Sequence, residues 1–197
     1  GFTAVLGPSG CGKSTLAGSI AGLVRPARGT ISVNGRTFCS DAPPVDLPAA
    51  ARGIGFVFQS HRLFPHLTVR ENLFFGRVFG RRRSSADAGR LIETLGIAHL
   101  LERHPDTLSG GESQRVALGR AILAAESLLI MDEPLASLDA ARKTELLGYF
   151  ERIPEITGSP FLYITHAADE AERLARTVLR MKDGRITDVL SVRSRPS

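Results

Sequence analysis

The chain has 197 residues, which suits one domain with a sizeable core. Hydrophobic residues make up 43% of it and charged residues 23%, a balance that excludes a disordered chain. The formal net charge of +5 fits an anionic small molecule, a nucleic acid or an acidic membrane surface equally well. The dense basic run at 81–83 has no interleaved aromatic residues, so we expect a solvated surface there and no nucleic-acid partner.

Cysteine usage and hydropathy bear on the compartment. Cys11 and Cys39 lack a partner at metal-ligand spacing, which favours a reducing, intracellular compartment. No apolar stretch approaches the ~18 residues of a spanning helix, and no signal peptide is visible. Any role at a membrane would therefore need a separate membrane subunit. The chain opens at Gly1, without a methionine, so we expect a fragment truncated at the N-terminus.

A glycine-rich loop follows the apolar run at 2–6. The run predicts a strand, and the loop has glycine, four residues, then Gly-Lys-Ser. Its glycines let the backbone form a nest of N–H groups that point at phosphate oxygens. Lys13 adds positive charge, and the Ser14 hydroxyl can ligate Mg²⁺. The candidate nucleotide-binding residues are Gly7, Pro8, Ser9, Gly10, Cys11, Gly12, Lys13, Ser14 and Thr15.

The elements after the loop can be read in chain order. Helical spacing of Leu16, Ile20 and Leu23 predicts a helix whose positive dipole end faces the loop. Alternation around an Asn-Gly pair predicts a hairpin at 30–38. Residues 40–53 are rich in Pro, Ala and Asp and predict a loop, and 53–59 return to strand character.

The second half of the chain first becomes helical and then alternates. Residues 60–108 predict helices separated by Gly and Pro, with one apolar face at Leu91, Ile92 and Leu95. The predicted elements after that are helices near 113–125 and 140–153, the second ended by Pro154, and strands at 128–131, 161–165 and 177–181.

This alternation predicts an α/β fold. We expect a mostly parallel sheet with helices on both faces, a small antiparallel β part and an inserted helical subdomain. The expected arrangement is a single domain over 1–197, with a core at about 1–59 and 114–197 and a helical subdomain at about 60–113.

Acidic residues end the strand at 128–131. The carboxyl edge of a doubly wound sheet is where nucleotides bind. Asp132 can hold Mg²⁺, generally through a water, and Glu133 is placed to polarise an attacking water. A structural acidic turn is the alternative for such a pair in isolation.

Residues 108–115 read Leu-Ser-Gly-Gly-Glu-Ser-Gln-Arg. Ser109 is a predicted helix N-cap whose capping-box partner is Glu112. Gly110 and Gly111 allow close backbone approach, so this second helix N-terminus could bind an anion. A plain helix cap is the alternative for the octapeptide alone.

The octapeptide resembles the signature motif of ATP-binding-cassette (ABC) ATPases, and companion motifs occur in that family's order. The Walker A loop is 7–15, Walker B is 128–133 and the D-loop looks like 137–139. Gln59 resembles the Q-loop glutamine, a ligand of Mg²⁺ and water, and His166 resembles the switch histidine that contacts the γ-phosphate. The resemblance covers essentially the whole chain and implies the RecA-like fold of P-loop NTPases.

The resemblance also implies a mechanism. Two copies would pair head to tail around two ATP molecules, with Ser109, Gly110 and Gly111 of one copy facing the γ-phosphate on the other copy's Walker A loop. The implied reaction is ATP hydrolysis by positioning and charge neutralisation. The implied catalytic residues are Glu133, His166 and Gln59, and the implied Mg²⁺ ligands are Ser14, Gln59 and Asp132.

Within the family, 62–72 and 132–139 look like solute importers, while 95–102 and 141–150 are similar to the ATPase of molybdate importers. We therefore expect a peripheral subunit on the cytoplasmic face of the membrane that powers oxyanion uptake, molybdate above all, through a permease. A periplasmic or extracellular solute-binding protein would be an indirect partner.

The permease's coupling helix would dock at about 60–75, where the aromatic residues are explained equally well as subdomain core. Those residues, with one leucine, are Phe64, Leu67, Phe74 and Phe75. We expect two features of the family to lie outside residues 1–197 or to be absent. The adenine-stacking aromatic is expected upstream of Gly1, and the oxyanion-binding domain common in molybdate ATPases is not found before Ser197.

Other functions stay open. The solute could be sulfate, phosphate, an amino acid or a polyamine, because the ATPase never contacts it. A soluble ABC ATPase acting on DNA or ribosomes usually has two cassettes or a coiled-coil insertion, and neither is seen. A degenerate, non-enzymatic cassette conflicts with the intact Lys13, Asp132, Glu133 and His166. Finally, Cys11 near a helix N-terminus and Lys13 predicts a reactive thiolate that bound Mg-ATP protects.

Overall fold

The computed structural model describes residues 1–58, 60, 62–79, 86–136 and 138–191. Gln59, Ser137 and the arginine run at 81–83 lie outside these residues. The strands are β1 Phe2–Leu6, β2 Ile31–Val33, β3 Arg36–Asp41, β4 Pro44–Asp46, β5 Ile54–Val57, β6 Leu128–Asp132, β7 Phe161–Thr165, β8 Ala175–Lys182 and β9 Arg185–Ser191. The helices are α1 Lys13–Ala21, α2 Ala49–Arg52, α3 Val69–Phe79, α4 Ala88–Thr94, α5 Gly110–Ala124, α6 Ala140–Ile156 and α7 Ala168–Leu174. Short 3₁₀ turns at Ala98–Leu100 and Pro105–Thr107 separate α4 from α5.

The main sheet has the strand order β5-β6-β7-β1-β8-β9. Each pair from β5 to β8 is parallel, and β9 alone pairs antiparallel, with β8. The prediction of a mostly parallel sheet is confirmed. Strand β9 was not predicted, because all of its residues are exposed and it offers no apolar alternation to detect.

Apolar clusters cover both faces of this sheet. Along β6, Leu129 and Met131 belong to a large cluster with helices α3 to α7, whereas Leu128 and Ile130 belong to a smaller cluster with α1. This alternation follows from the period of two in a strand. The predicted helical layers on both faces are therefore present, and they fix the carboxyl ends of the strands at one edge.

The small second sheet has the order β2-β3-β4 and is antiparallel. Its predicted hairpin is confirmed, because Asn34 and Gly35 both have left-handed backbone, with φ of 51° and 75°. The predicted loop at 40–53 is wrong in part, since it contains β4 and α2. Strand β4 is three residues long and forms by pairing with β3, a long-range effect that local composition does not report.

The helical insert lies between β5 and α5. Leu91 and Leu95 are fully buried and Ile92 packs against them, so the predicted apolar face is confirmed. Helix α3 packs on α5 at Gly119, where an added Cβ would lie 2.8 Å from the Leu73 side chain. Among the described residues, no helix is both long and apolar enough to cross a membrane.

Two predicted helix limits are wrong. Helix α1 ends at Ala21 because Gly22 adopts a left-handed cap with φ of 79°, which leaves Leu23 outside the helix and 54% exposed. Helix α6 continues through Pro154 to Ile156. Proline has no N–H to donate to the carbonyl oxygen of Phe150, so one helical hydrogen bond is lost there, and the extension keeps Ile156 buried.

Candidate functional site

The phosphate loop is a tight connection between β1 and α1. Gly10 and Gly12 have φ of 79° and 102°, a region that L side chains rarely adopt, and Gly12 is the N-cap of α1. Gly7 is constrained by space, because a Cβ there would collide with the carbonyl oxygen of Met181 in β8. The loop is thus held between two strands, with the N-terminus of a nine-residue helix behind it.

Lys13 is buried, although it carries a charge. Its Nζ donates to the carbonyl oxygens of Gly7 and Pro8, at 2.8 and 2.9 Å. The same Nζ lies 3.6 Å from Oε1 of Glu133. The ammonium is therefore fixed at the rim of a cavity of about 320 Å³, whose described lining residues are Ser9, Gly10, Gly12, Lys13, Ser14, Thr15, Asp132 and Glu133.

Asp132 ends strand β6 beside the first turn of α1. The hydroxyl of Ser14 donates to Oδ1 of Asp132 at 3.1 Å. Burial raises the pKa of the Asp132 carboxyl above its ordinary value, and the Ser14 hydrogen bond partly opposes that rise. A hydroxyl and a carboxylate this close are oxygen donors of the kind Mg²⁺ takes. Among the described residues no group of three or more His, Cys, Asp and Glu could hold a metal, so a cation here would need further oxygens from a ligand.

Glu133 has an unusual backbone for a non-glycine residue, with φ of 46°. Its N–H donates to the carbonyl oxygen of Ile164 in the neighbouring strand β7, at 3.0 Å. This left-handed turn directs the carboxylate back into the cavity, where Oε2 lies 3.3 Å from Nδ1 of His166. Strained backbone of this sort concentrates at functional sites.

His166 follows β7 and is half exposed, with 51% of its side chain accessible. The structure thus brings together five of the residues that the sequence singled out: Lys13, Ser14, Asp132, Glu133 and His166. They come from three separate segments, at the carboxyl ends of adjacent strands β1, β7 and β6. Gln59 follows β5 and lies outside the described residues.

The signature-like segment forms a second, distinct site. The Ser109 Oγ accepts the Glu112 N–H at 3.3 Å, and the Glu112 carboxylate accepts the Ser109 N–H at 2.7 Å. The predicted capping box is therefore present, and these hydrogen bonds lower the pKa of Glu112. Ser109 and Gly111 line a cavity of about 180 Å³ against α6. Its described lining shares no residue with the cavity at Lys13, so one chain does not bring the two motifs together.

Cys11 departs from its prediction. The side chain is 6% exposed and belongs to the small apolar cluster with Val5 and Ala17, underneath the loop. Its carbonyl oxygen accepts the N–H of Gly184 from the β8–β9 turn, at 2.9 Å. Burial speaks against the predicted reactive thiolate, because the Cys11 thiol lies against the core.

Gln114 is a residue that sequence reasoning missed. Its buried side chain donates to the carbonyl oxygen of Pro134, which links α5 to the turn that follows Asp132 and Glu133. The available signal was a polar residue two positions before the apolar run that begins at Val116. Only the fold shows which carbonyl it reaches.

Comparisons with known proteins agree with this geometry. The ABC transporter family model matches residues 1–136. The chain is 50% identical over 187 residues, 94% of its length, to the molybdenum import ATP-binding protein ModC of Rhizobium meliloti (strain 1021). It spans about half the length of the ModC proteins that it matches, 52% in this case.

Solved structures show the same fold. A dimeric, post-hydrolysis state of the ATP-binding cassette MJ0796 bound to ADP and Pi has a TM-score of 0.78 and 27% identity, with 98% of this chain and 86% of that chain covered. CbiO1 from Clostridium perfringens, part of the ABC transporter complex cbiONQ, has a TM-score of 0.77 and 27% identity, with 95% and 76% covered.

Proposed function

The chain belongs to the ABC transporter family, and from that premise we propose that it binds ATP with Mg²⁺ and hydrolyses it to drive transport. The observation that carries the proposal is the position of the Glu133 carboxylate, 3.6 Å from Lys13 Nζ and 3.3 Å from His166 Nδ1, at the rim of the phosphate-loop cavity.

The loop supplies the binding of the triphosphate. Ser9, Gly10 and Gly12 of the loop and the first turn of α1 line the cavity, and backbone N–H groups at a helix N-terminus favour an anion. Lys13 can exchange its bonds to the carbonyl oxygens of Gly7 and Pro8 for bonds to phosphate oxygens. In the free protein the Lys13 ammonium is therefore already hydrogen-bonded, and it can turn to a phosphate oxygen without a change in its charge.

Ser14 and Asp132 would hold Mg²⁺, and we assign Gln59 to the same site from its sequence position. When bound, the ion would neutralise phosphate charge. The donor set fits it, because the Ser14 hydroxyl and the Asp132 carboxylate are both oxygen ligands held 3.1 Å apart.

Glu133 would accept the proton of the attacking water. A carboxylate between two cationic or proton-bearing groups stays in place, and the left-handed backbone aims it at the space beyond the loop. His166, whose ring reaches the same carboxylate, would contact the γ-phosphate oxygens and the charge that develops on them. Hydrolysis would follow from positioning rather than from a covalent intermediate.

A complete site would need a second copy of the chain. Ser109 and Gly111 line a cavity apart from Lys13, so in one chain the signature-like segment cannot reach a phosphate bound at the loop. A head-to-tail pair would bring the α5 N-terminus of one copy to the loop of the other. The related cassette MJ0796 is dimeric in the ADP-bound and Pi-bound structure.

For the transported solute we propose molybdate or a chemically similar oxyanion. The support is the 50% identity to a molybdenum import ATP-binding protein over 94% of this chain. We place the subunit at the cytoplasmic face of the membrane, with a permease as direct partner and a solute-binding protein as indirect partner. Sulfate, phosphate, an amino acid or a polyamine is the alternative, because no residue of the site would touch the solute.

The permease would dock in an apolar groove beside the helical insert. Phe64 and Phe75 pack with ring centroids 4.3 Å apart and planes tilted by 37°, and both line a groove of about 350 Å³ that Phe58 and Arg62 extend. Phe74 instead packs against the main core. The predicted segment 60–75 therefore contains residues of both kinds, core and groove.

The test measures molybdate uptake in cells that express the complete transporter. Molybdate accumulation should require this subunit, and Glu133→Gln should abolish it while the subunit still co-purifies with the permease. Sulfate and phosphate are added in competition. Loss of ATPase activity without effect on molybdate uptake would refute the oxyanion assignment, and uptake driven by Glu133→Gln would refute the catalytic one.

A further inference from the structure

A buried carboxylate lies behind the proposed active site. Glu170, in the first turn of α7, is 4% exposed. Its Oε2 accepts hydrogen bonds from the Tyr163 hydroxyl and the Thr165 Oγ1, each at 2.8 Å. Its Oε1 lies 3.5 Å from Nζ of Lys143 in the first turn of α6. One side chain therefore joins α6, β7 and α7.

The stability of the fold gives little reason for a carboxylate at this place. Moving a charge from water into the interior is costly, and a well-packed apolar side chain of similar volume is often as stabilising as a buried ion pair. Glu170 lies against the large apolar cluster, which includes Tyr163 and Ala171. The hydrogen-bond partners of Glu170 therefore suggest a role other than stability.

Thr165 connects this carboxylate to the histidine. Its hydroxyl donates to Glu170 and also accepts the N–H of Ala167, at 3.0 Å. The two bonds use both functions of a single oxygen that is itself buried, with Thr165 2% exposed. They enclose His166, the residue between Thr165 and Ala167. The half-exposed ring of His166 therefore projects from a turn that the buried Thr165 hydroxyl holds in place.

The same turn borders the carboxylate of Glu133. The Glu133 N–H binds the carbonyl oxygen of Ile164, the residue before Thr165, at 3.0 Å. His166 Nδ1 lies 3.3 Å from Glu133 Oε2. A shift of the Thr165–Ala167 turn would therefore move the ring relative to Glu133, while the phosphate loop and Lys13 would stay where β1 and β8 hold them.

We propose that Glu170 and Thr165 are positioning residues for His166: they fix the turn that aims the imidazole at the reacting phosphate. The inference rests on the proposed ATP hydrolysis and adds residues that touch neither nucleotide nor metal. An ångström-scale displacement of a group in an active site lowers turnover by up to about 10²-fold. Nucleotide binding, which the loop provides, should hardly change.

The test compares two hydroxyls that donate to the same oxygen. Thr165→Val and Tyr163→Phe each remove one hydrogen bond to Glu170 Oε2 and keep the shape of the side chain. Only the first also releases the Ala167 N–H. In the full-length protein we expect Thr165→Val to lower kcat about tenfold with KM for ATP unchanged, within the range for a misplaced group. Tyr163→Phe should keep kcat within about twofold of the wild type, although its Tm should fall about as much as that of Thr165→Val.

Three further variants separate positioning from general damage. Thr165→Ser keeps the hydroxyl and should restore most of the lost turnover. In a His166→Ala background, Thr165→Val should cost almost nothing more, because a residue that acts through His166 has no effect once the imidazole is gone. Glu170→Ala should lower kcat as much as Thr165→Val does, and it should lower Tm further. If Glu170→Ala does not fold, the kcat of Thr165→Val still tests the positioning role.

A readout without catalysis completes the test. The ring resonances of His166 in a ¹H–¹³C spectrum should shift in Thr165→Val and stay in place in Tyr163→Phe and in the exposed control Glu172→Gln. Equal kcat losses in Thr165→Val and Tyr163→Phe, additive losses with His166→Ala, or unshifted resonances would overturn the inference. A wild-type protein without ATPase activity would instead overturn the proposed function, and the resonances would still report whether the turn positions His166.

Discussion

Nδ1 of His166 lies 3.3 Å from Oε2 of Glu133, across the carboxyl ends of the neighbouring strands β6 and β7. The other oxygen of the same carboxylate lies 3.6 Å from Nζ of Lys13. Glu133 therefore links the residue assigned to phosphate binding with the residue assigned to the γ-phosphate. We expect substitutions at Glu133 and Lys13 to separate hydrolysis from binding, because the two residues are assigned to different steps.

Glu133→Gln should bind ATP with an affinity close to that of the wild type and hydrolyse it at least about 100-fold more slowly, because a glutamine keeps the shape and loses the base. Phosphate release under saturating ATP gives kcat, and a fluorescent ATP analogue gives Kd. A turnover within a factor of a few of the wild type would remove Glu133 from the role of base.

Lys13→Ala should have the opposite signature. A hydrogen bond to a charged group contributes about 1.5–3 kcal/mol, so loss of the ammonium should weaken ATP binding by about tenfold to a hundredfold. The affinity of Glu133→Gln, measured with the same analogue, is the reference. Unchanged affinity in Lys13→Ala would contradict the assignment of this loop to the triphosphate.

Asp132 should make stability depend on pH. Burial raises the pKa of this carboxyl above its ordinary value of 3.8, so the folded state holds the proton more tightly than the unfolded state does. The protonated Asp132 carboxyl therefore contributes its full stabilisation at pH values below the pKa it has in the unfolded chain. This stabilisation is lost as pH rises through the pKa it has in the folded state. We therefore expect Asp132→Asn to raise Tm at neutral pH, and the gain to shrink as pH falls toward 4.

Thermal unfolding at several pH values without nucleotide measures this effect, with the exposed Asp188→Asn as control. Mg-ATP should stabilise the wild type and fail to stabilise Asp132→Asn to the same degree, because the proposed metal ligand is lost. A lower Tm for Asp132→Asn at neutral pH would show that the ionised carboxylate stabilises the fold.

Much of this architecture could be predicted from local sequence patterns. The strand at 161–165 is predicted to the residue, because five consecutive apolar or β-branched residues are buried on both faces. The capping box of Ser109 and Glu112 is likewise a local pattern of side chain and backbone. What local pattern could not supply is pairing over long distances, as in β4 and β9, and the route of a buried side chain, as in Gln114.

Sequence motifs predicted which residues form the active site, but they did not predict the backbone conformation that places those residues. The motifs identify Glu133 and His166, but nothing in the sequence shows the left-handed conformation of Glu133, since a bulky residue is normally excluded from it. The orientation of Cys11 was mispredicted for a related reason. A motif fixes which residue stands in the loop, whereas packing of α1 on the sheet fixes which side chain faces inward.

Cys11 should consequently react slowly with a bulky maleimide, at a rate set by opening of the structure rather than by an exposed thiol. Labelling followed by mass spectrometry should give a rate comparable to that of Cys39, which is also buried. Nucleotide should slow the labelling of Cys11 only as far as it stabilises the fold. Rapid labelling of Cys11 alone, blocked by Mg-ATP, would show that the thiol reaches the nucleotide site.

The last prediction concerns assembly, because Ser109 and Lys13 line separate cavities of one chain. If each active site combines the loop of one copy with the α5 N-terminus of another, ATPase activity should rise more steeply than linearly with protein concentration. Lys13→Ala and Ser109→Arg should each be inactive alone, since every site in either homodimer carries one defect.

Mixing these two variants tests the composite site directly. In the head-to-tail heterodimer, one site combines both defects, and the other combines the intact loop of the Ser109→Arg copy with the intact Ser109 of the Lys13→Ala copy. Activity should therefore reappear in the mixture and reach at most half of the wild-type value per dimer.

Light scattering should show ATP-dependent association of the same mixture. A mixture of Lys13→Ala with Glu133→Gln is the control. In that control the two defects fall in different sites, so each site stays defective. Association without activity would mean that two intact sites must act together, whereas a mixture that neither associates nor hydrolyses ATP would contradict the shared site.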